Sequence, residues 1–199
     1  PKRVFSDLAQ NAQRAPQALK HLIAIYQAER DWEKAIDNAH RYEEVTTEPM
    51  GKLVAQFECE LAERQRTANN IEAAREAVAR AYQADAGSVR AGIIEGRIES
   101  DAGNAEAAVR AFERAARHDP DYLPEVLPSL LASYDQVGDL SGARAFLSEM
   151  CEHYRGIAPV LALTKLVERQ EGVAAARAYL ARQLKDRPSV RGEASLIDL

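Results

Sequence analysis

The chain has 199 residues, 46% of them apolar, enough for one packed domain or one repeat array. Its 31 acidic and 26 basic side chains leave a net charge of −5, which argues against a broad nucleic-acid surface. No apolar run reaches bilayer-spanning length, no signal peptide is visible, and Cys59 and Cys151 stand far apart outside any CxxC, as buried thiols in a reducing, cytoplasmic setting would.

Residues 4–15 read as the second helix of a helix pair, with Phe5 and Leu8 on its apolar side. The next helix opens near Pro16, acceptable in a first turn, and carries Leu19, Leu22, Ile23 and Tyr26 as an apolar stripe. Asp31 caps a helix in which Trp32, Ala35, Ile36 and Ala39 face inward. Residues 45–52, VTTEPMGK, hold Pro49 and Gly51 and read as a surface loop. From about Ala55, one helix carries Phe57, Leu61 and Ala62, and its partner carries Ala74, Val78 and Ala81. Ser88 caps the helix containing Gly92 and Gly96; Gly103 ends it, Asn104 caps the next, and Pro120 stops that one. In LPEVLPSLL, a helix begun at Pro124 needs the N–H that Pro128 lacks, so the spacing predicts a start between Glu125 and Pro128. The last pair runs from Ile157 to about Arg187, and SVRGEASLIDL opens a further helix.

These elements recur. Ala35, Ala74, Ala108, Ala143 and Ala176 are equivalent: Asp31, Asn70, Asn104, Asp139 or Gly172 precedes each by four positions, and Ala39, Val78, Phe112, Leu147 or Leu180 follows by four. The spacing of Gly96, Gly103, Ala108, Phe112, Ala115 and Pro120 is the tetratricopeptide (TPR) pattern, whose period is about 34 residues. The expected fold is all-α: one TPR-type helical solenoid over residues 1–199, with antiparallel helix pairs in a right-handed superhelix. Its repeats fall at 16–54, 55–88, 89–123, 124–156 and 157–190, with partial repeats at both ends whose faces further repeats would cover. The chain opens mid-pattern at Pro1, so it reads as part of a longer protein.

No GxxxxGK[ST], GxSxG or HExxH motif occurs, and His21, His40, His118 and His153 lack metal-ligand spacing, so no enzyme, cofactor or metal site is expected. Gly92 and Gly96 form a GxxxG, but Glu95, Arg97 and Glu99 beside it exclude a lipid-facing helix and leave close helix packing as its role. A TPR array offers a concave face lined by the first helix of each pair. The repeat pattern assigns to it Cys59, Glu63, Arg66, Arg90, Ile93, Arg97 and Asp101, in the fourth repeat Glu125, Ala132, Asp135 and Gln136, and in the last repeat Leu161, Lys165, Glu168 and Arg169. Its centre, Glu63, Arg66, Arg90, Arg97 and Asp101, mixes both charge signs and is the expected protein-binding surface, since arginines make forked hydrogen bonds to carboxylates. Glu95 stands where the pattern prefers Leu and is expected to be solvated or paired with an arginine. Where chaperone-binding clamps carry Asn, this chain has Ala24, Glu63, Arg97, Ala132 and Lys165, which disfavours that role.

Four segments carry a closer resemblance: ALKHLIAIYQAERDWEKAID (18–37), CELAE (59–63), ADAGSVRAGIIEGRI (84–98) and ARAYLARQLKDRPSVRG (176–192). In order and along nearly the whole chain, they resemble the lipopolysaccharide assembly protein B (LapB) family of Gram-negative bacteria. Members carry an N-terminal membrane helix, a cytoplasmic TPR region and a C-terminal rubredoxin-like metal module with paired CxxC motifs. The resemblance is to the TPR region alone, so membrane attachment and metal binding are expected to reside in segments outside this sequence. It implies a non-enzymatic adaptor at the cytoplasmic face of the inner membrane. Such an adaptor brings the lipid A-committing deacetylase (LpxC) to the membrane protease FtsH, limiting lipopolysaccharide synthesis, and a membrane-bound regulator antagonises it. A generic TPR scaffold in another envelope or secretion assembly is the alternative, which a signal peptide in the full gene would favour. An enzyme hidden in the groove would need clustered groups with perturbed pKa values. Association as a homodimer is also open.

Overall fold

The structure is a computed structural model that describes residues 2–10 and 14–199. Among these residues every regular element is helical. The helices are α1 (Lys2–Leu8), α2 (Ala15–Glu29), α3 (Trp32–Thr46), α4 (Gly51–Thr67), α5 (Ile71–Ala84), α6 (Val89–Asp101) and α7 (Ala105–His118). A 3₁₀ turn (Pro120–Tyr122) leads into α8 (Leu123–Val137), α9 (Leu140–His153), α10 (Ala158–Glu171), α11 (Val173–Asp186) and α12 (Val190–Asp198). The chain divides into two compact units, Pro1–Ile98 and Glu99–Leu199, and the division falls inside α6. In the first unit α1 packs on α2, α2 on α3, α3 on α4 and α4 on α5; in the second, each of α7 to α11 packs on the helix that follows it. Connections this short make neighbouring helices antiparallel.

One turn recurs between the helices of a pair. Arg30, Asn69, Gly103 and Gly138 take φ of 57°, 60°, 79° and 78°. The next residue's N–H then reaches back five positions, Asp31 to Tyr26, Asn70 to Gln65, Asn104 to Glu99 and Asp139 to Tyr134, at 2.8–3.2 Å. That bond satisfies a carbonyl left over at the helix end and requires left-handed backbone, which glycine adopts without steric cost and Arg30 does not. The following residue occupies the cap position of the next helix. Asp31 and Asp139 act there as expected, accepting from the N–H groups of Lys34 (3.4 Å) and Gly142 (2.8 Å). Asn70 and Asn104 differ: their side chains make no cap bond and donate backwards, to Gln65 Oε1 (3.0 Å) and Glu99 Oε2 (2.8 Å). An amide carries donors that a carboxylate lacks, and the turn presents it with an acceptor on the preceding helix.

The column of alanines is buried throughout, with Ala35, Ala74, Ala108, Ala143 and Ala176 at most 1% exposed. Small side chains there let paired helices approach closely, and Val78, Phe112, Leu147 and Leu180 fill the space one turn on. The stripe Leu19, Leu22, Ile23 is buried as expected, with Tyr26 and Trp32 packed at its edge. Ser189 caps α12, accepting from Gly192 N–H at 3.3 Å, so the tail forms the helix read from its sequence.

Three boundaries differ from expectation. The helix expected over 4–15 is seen as α1, ending at Leu8, and residues 11–13 lie outside the described residues. The loop expected over 45–52 shrinks to four residues, because α3 runs to Thr46 and α4 already starts at Gly51. The turn is pinned by Tyr42 Oη donating to Glu48 (2.6 Å) and by Met50 N–H donating to Glu43 (3.3 Å). Gly51 breaks nothing: a Cβ there would overlap the backbone carbonyl oxygen of Ala84, so the glycine permits a close approach of α4 to α5. Finally, α8 begins at Leu123, ahead of the predicted start. Pro128 removes one hydrogen bond, to the Pro124 carbonyl, whereas the extra turn buries Leu123 and Val126 almost completely. Burying two such side chains outweighs one exposed hydrogen bond.

Candidate protein-binding surfaces

The charged residues expected at the centre of the binding face lie on two helices of the repeat array. Glu63 and Arg66 are one turn apart on α4, and Arg66 forks onto the Glu63 carboxylate, Nε to Oε2 at 3.0 Å and Nη2 to Oε1 at 2.7 Å. Arg90, at the start of α6, bonds Glu60 on α4 at 2.5 Å. Arg97, half-buried further along α6, contributes with Arg66 and Arg90 to the positive field at Glu63. The first unit therefore brings Glu63, Arg66, Arg90 and Arg97 together, with Glu60 added. Asp101 is exposed at the C-terminal end of α6 and belongs to the second unit. A ligand carboxylate reaching Arg66 or Arg90 has to displace an existing ion pair.

Two assignments to this face are corrected. Cys59 and Ile93 were expected on it, but they are 0% and 3% exposed. Desolvation pushes the Cys59 thiol up to about 11, against the hydrogen bond with Ser88 and the charge of Arg90. Both side chains point into the helix packing, where bulk and not charge is wanted. Glu95 accepts a hydrogen bond from Tyr82 Oη on α5 at 2.9 Å, a partner the sequence did not point to.

The Arg66 hydrogen bond, opposed by burial and aided by the charges of Arg66, Arg97 and Arg90, holds the Glu63 carboxyl below its ordinary value of 4.5. A depressed folded-state pKa means stability that is present above the unfolded value and lost as pH falls through the folded one. Thermal melts of wild type and Glu63→Gln are therefore expected to differ at neutral pH and to converge below about pH 4. A gap that stays constant down to acid pH would show that Glu63 stabilises by packing alone.

A second surface lies wholly within the second unit. Helices α8, α10 and α12 flank a groove of about 670 Å³. Pro124, Leu127, Pro128 and Leu131 of α8 form one wall, Leu161, Ala162, Lys165 and Glu168 of α10 the next, and Arg191, Ser195 and Asp198 of α12 the third. Leu161, Lys165 and Glu168 were read from the repeat pattern; Leu127, Leu131 and Arg191 were not. The i,i+4 pair Leu127 and Leu131 was the available signal, obscured by the expectation that α8 starts late. Beside the groove, Arg169 Nη1 on α10 donates to both carboxylate oxygens of Asp135 on α8, at 2.9 and 3.2 Å. Among the described residues no helix is long and apolar enough to cross a membrane.

No protein-family model matches the chain. Its sequence is 32% identical over 181 residues to lipopolysaccharide assembly protein B of Escherichia coli K12, covering 91% of this chain and 46% of that protein. It is 29% identical over 175 residues to the protein of the same name from Haemophilus influenzae, covering 88% and 44%. The chain thus spans about half the length of the curated relatives it matches. Among solved structures, MamA aligns with a TM-score of 0.52 at 16% identity, over 85% of this chain and 90% of that one. The pilF protein of Pseudomonas aeruginosa aligns at 0.50 and 18% identity, over 85% and 75%. Both neighbours are TPR proteins, which agrees with the helix pairs and turns described above. By fold and by sequence along nine-tenths of its length, this chain is a TPR protein related to the lipopolysaccharide assembly protein B family.

Proposed function

We propose that the chain is a non-enzymatic adaptor that limits lipopolysaccharide synthesis by presenting the lipid A-committing deacetylase, LpxC, to the membrane protease FtsH at the cytoplasmic face of the inner membrane. The similarity to lipopolysaccharide assembly protein B over 91% of the chain carries this reading. An adaptor must hold two proteins and needs no reacting group. Two surfaces of different chemistry are available here: the paired charges around Glu63, Arg66, Arg90 and Arg97, and the part-apolar groove between α8, α10 and α12.

The test is direct binding of the immobilised chain to purified deacetylase and to the cytosolic part of the protease. Both are expected to be retained. Reversing Arg97 to Glu is expected to weaken one of the two interactions by about 1–3 kcal/mol, with circular dichroism unchanged. Retention of neither protein would sink the adaptor reading. Binding that survives reversal at Arg97, Arg90 and Glu63 alike would move the contact off that face.

A further inference from the structure

The groove of the second unit is sorted by charge along its length. Helices α8, α10 and α12 are every second member of an antiparallel series, so their N-terminal ends lie at one end of the groove. That end of the lining carries Pro124 of α8, Ala158 of α10 and Arg191 of α12. The middle is apolar, with Leu127, Leu161 and Ala162. Towards the other end the lining carries two carboxylates, Glu168 on α10 and Asp198 on α12, and one lysine, Lys165. Elsewhere in the unit Arg117 pairs with Glu113 and Glu149, Arg144 with Glu171 and Arg169 with Asp135, whereas Arg155, Arg177 and Lys185 form no ion pair among the described residues. In the groove none of Arg191, Lys165, Glu168 and Asp198 forms an ion pair among the described residues. The helix dipoles add to the same polarity, positive at the Arg191 end and negative at the other.

We propose that this groove takes an extended segment of a partner protein that carries an acidic residue, two apolar residues and then a basic residue. The acidic side chain meets Arg191, the apolar pair lies on Leu127 and Leu161, and the basic side chain sits between Glu168 and Asp198. Arg191 and Asp198 are separated by about 10 Å along their helix at 1.5 Å per residue. An extended chain covers that distance in about three residues, which sets the spacing of the two charges. The proposal deepens the adaptor reading and rests on it for its biological partner, but not for the binding itself.

The probe is a fluorescein-labelled peptide with the core Asp-Leu-Ile-Arg, titrated with the whole chain by anisotropy. Controls carry Asp-Ser-Ser-Arg and Asp-Leu-Ile-Asp. A peptide of reversed order is no control, since it could enter the groove in the opposite chain direction. The wild-type chain is expected to bind the probe about tenfold more tightly than either control. In the double variant Glu168→Lys with Asp198→Lys the preference is expected to pass to Asp-Leu-Ile-Asp. Both positions are at least partly exposed, so the fold should persist, with circular dichroism as the control. Equal affinity for all three peptides, no binding of the probe, or a preference untouched by the double variant would overturn the proposal. Such a failure would leave the adaptor reading standing, because that is decided by the deacetylase and protease measurements.

Discussion

Arg80→Ala is expected to destabilise the first unit by about 3 kcal/mol, more than the loss of an ordinary surface ion pair. Arg80 on α5 donates from Nε to Glu58 Oε1 on α4 at 2.9 Å, and the Glu58 side chain is only 7% exposed. Its second oxygen, Oε2, is buried with no hydrogen-bond partner. Truncating Arg80 leaves a carboxylate in the helix interface with neither charge nor donor opposite it. Arg80 itself is 47% exposed, which lets solvent share the load and puts the cost at the low end of the range for broken buried pairs. Glu58→Leu in the Arg80→Ala background should recover most of the loss, since replacing both partners by apolar groups removes the desolvation penalty. Trp32 is the sole tryptophan and stacks on Phe57 in this unit, with ring centroids 5.7 Å apart. Urea unfolding followed by its fluorescence reads the effect. A single substitution that leaves the midpoint unmoved would mean that the pair contributes nothing.

In the second unit the largest effect is expected from Phe112→Ala, about 3–5 kcal/mol. Phe112 is 0% exposed on α7, and its neighbours on the same helix face are Ala108, Ala111, Ala115 and Ala116, all buried. Methyl groups that short cannot move into the vacated volume, so the cavity persists and the cost lies in the upper part of what a large-to-small change produces. For a chain of this size the melting temperature should fall by on the order of 10 °C, read by circular dichroism. Phe112→Leu, which keeps most of the volume, should lose far less. Equal losses for the two variants would show that retained volume does not set the cost at this site.

The repeat register was legible because it rests on side-chain size. The alanine column, the Phe112 column and the glycines at Gly103 and Gly138 are each forced by steric contact, and sterics leave a mark at fixed spacing. Helix ends were less legible where two local solutions compete. Asn70 and Asn104 occupy the cap position, but their amides choose an acceptor on the preceding helix, a choice that depends on Gln65 and Glu99 and not on the asparagine. At Gly51 and Pro128 the residue type suggested a break, and tertiary packing overrode it. For the charged residues on α4 and α6 the sequence did not give the pairing. That Glu60 would take Arg90 depends on which turns of α4 and α6 lie side by side, a matter of helix packing that composition does not encode. The groove was half legible: its α10 wall follows from the repeat, whereas Arg191 enters from a helix known only as a tail.

Within each unit, the helices that pack extensively are neighbours or next-neighbours along the chain. Such a topology has low contact order, so little loop-closure entropy opposes the first native contacts. Folding can then begin in any hairpin whose turn has closed and spread to the next helix. The left-handed residue at each of the four equivalent turns thereby becomes a kinetic element as well as a structural one. Gly103 and Gly138 reach that conformation freely in the unfolded chain, whereas Arg30 does so rarely, so the hairpins they close should be quicker to nucleate than the one built around Arg30.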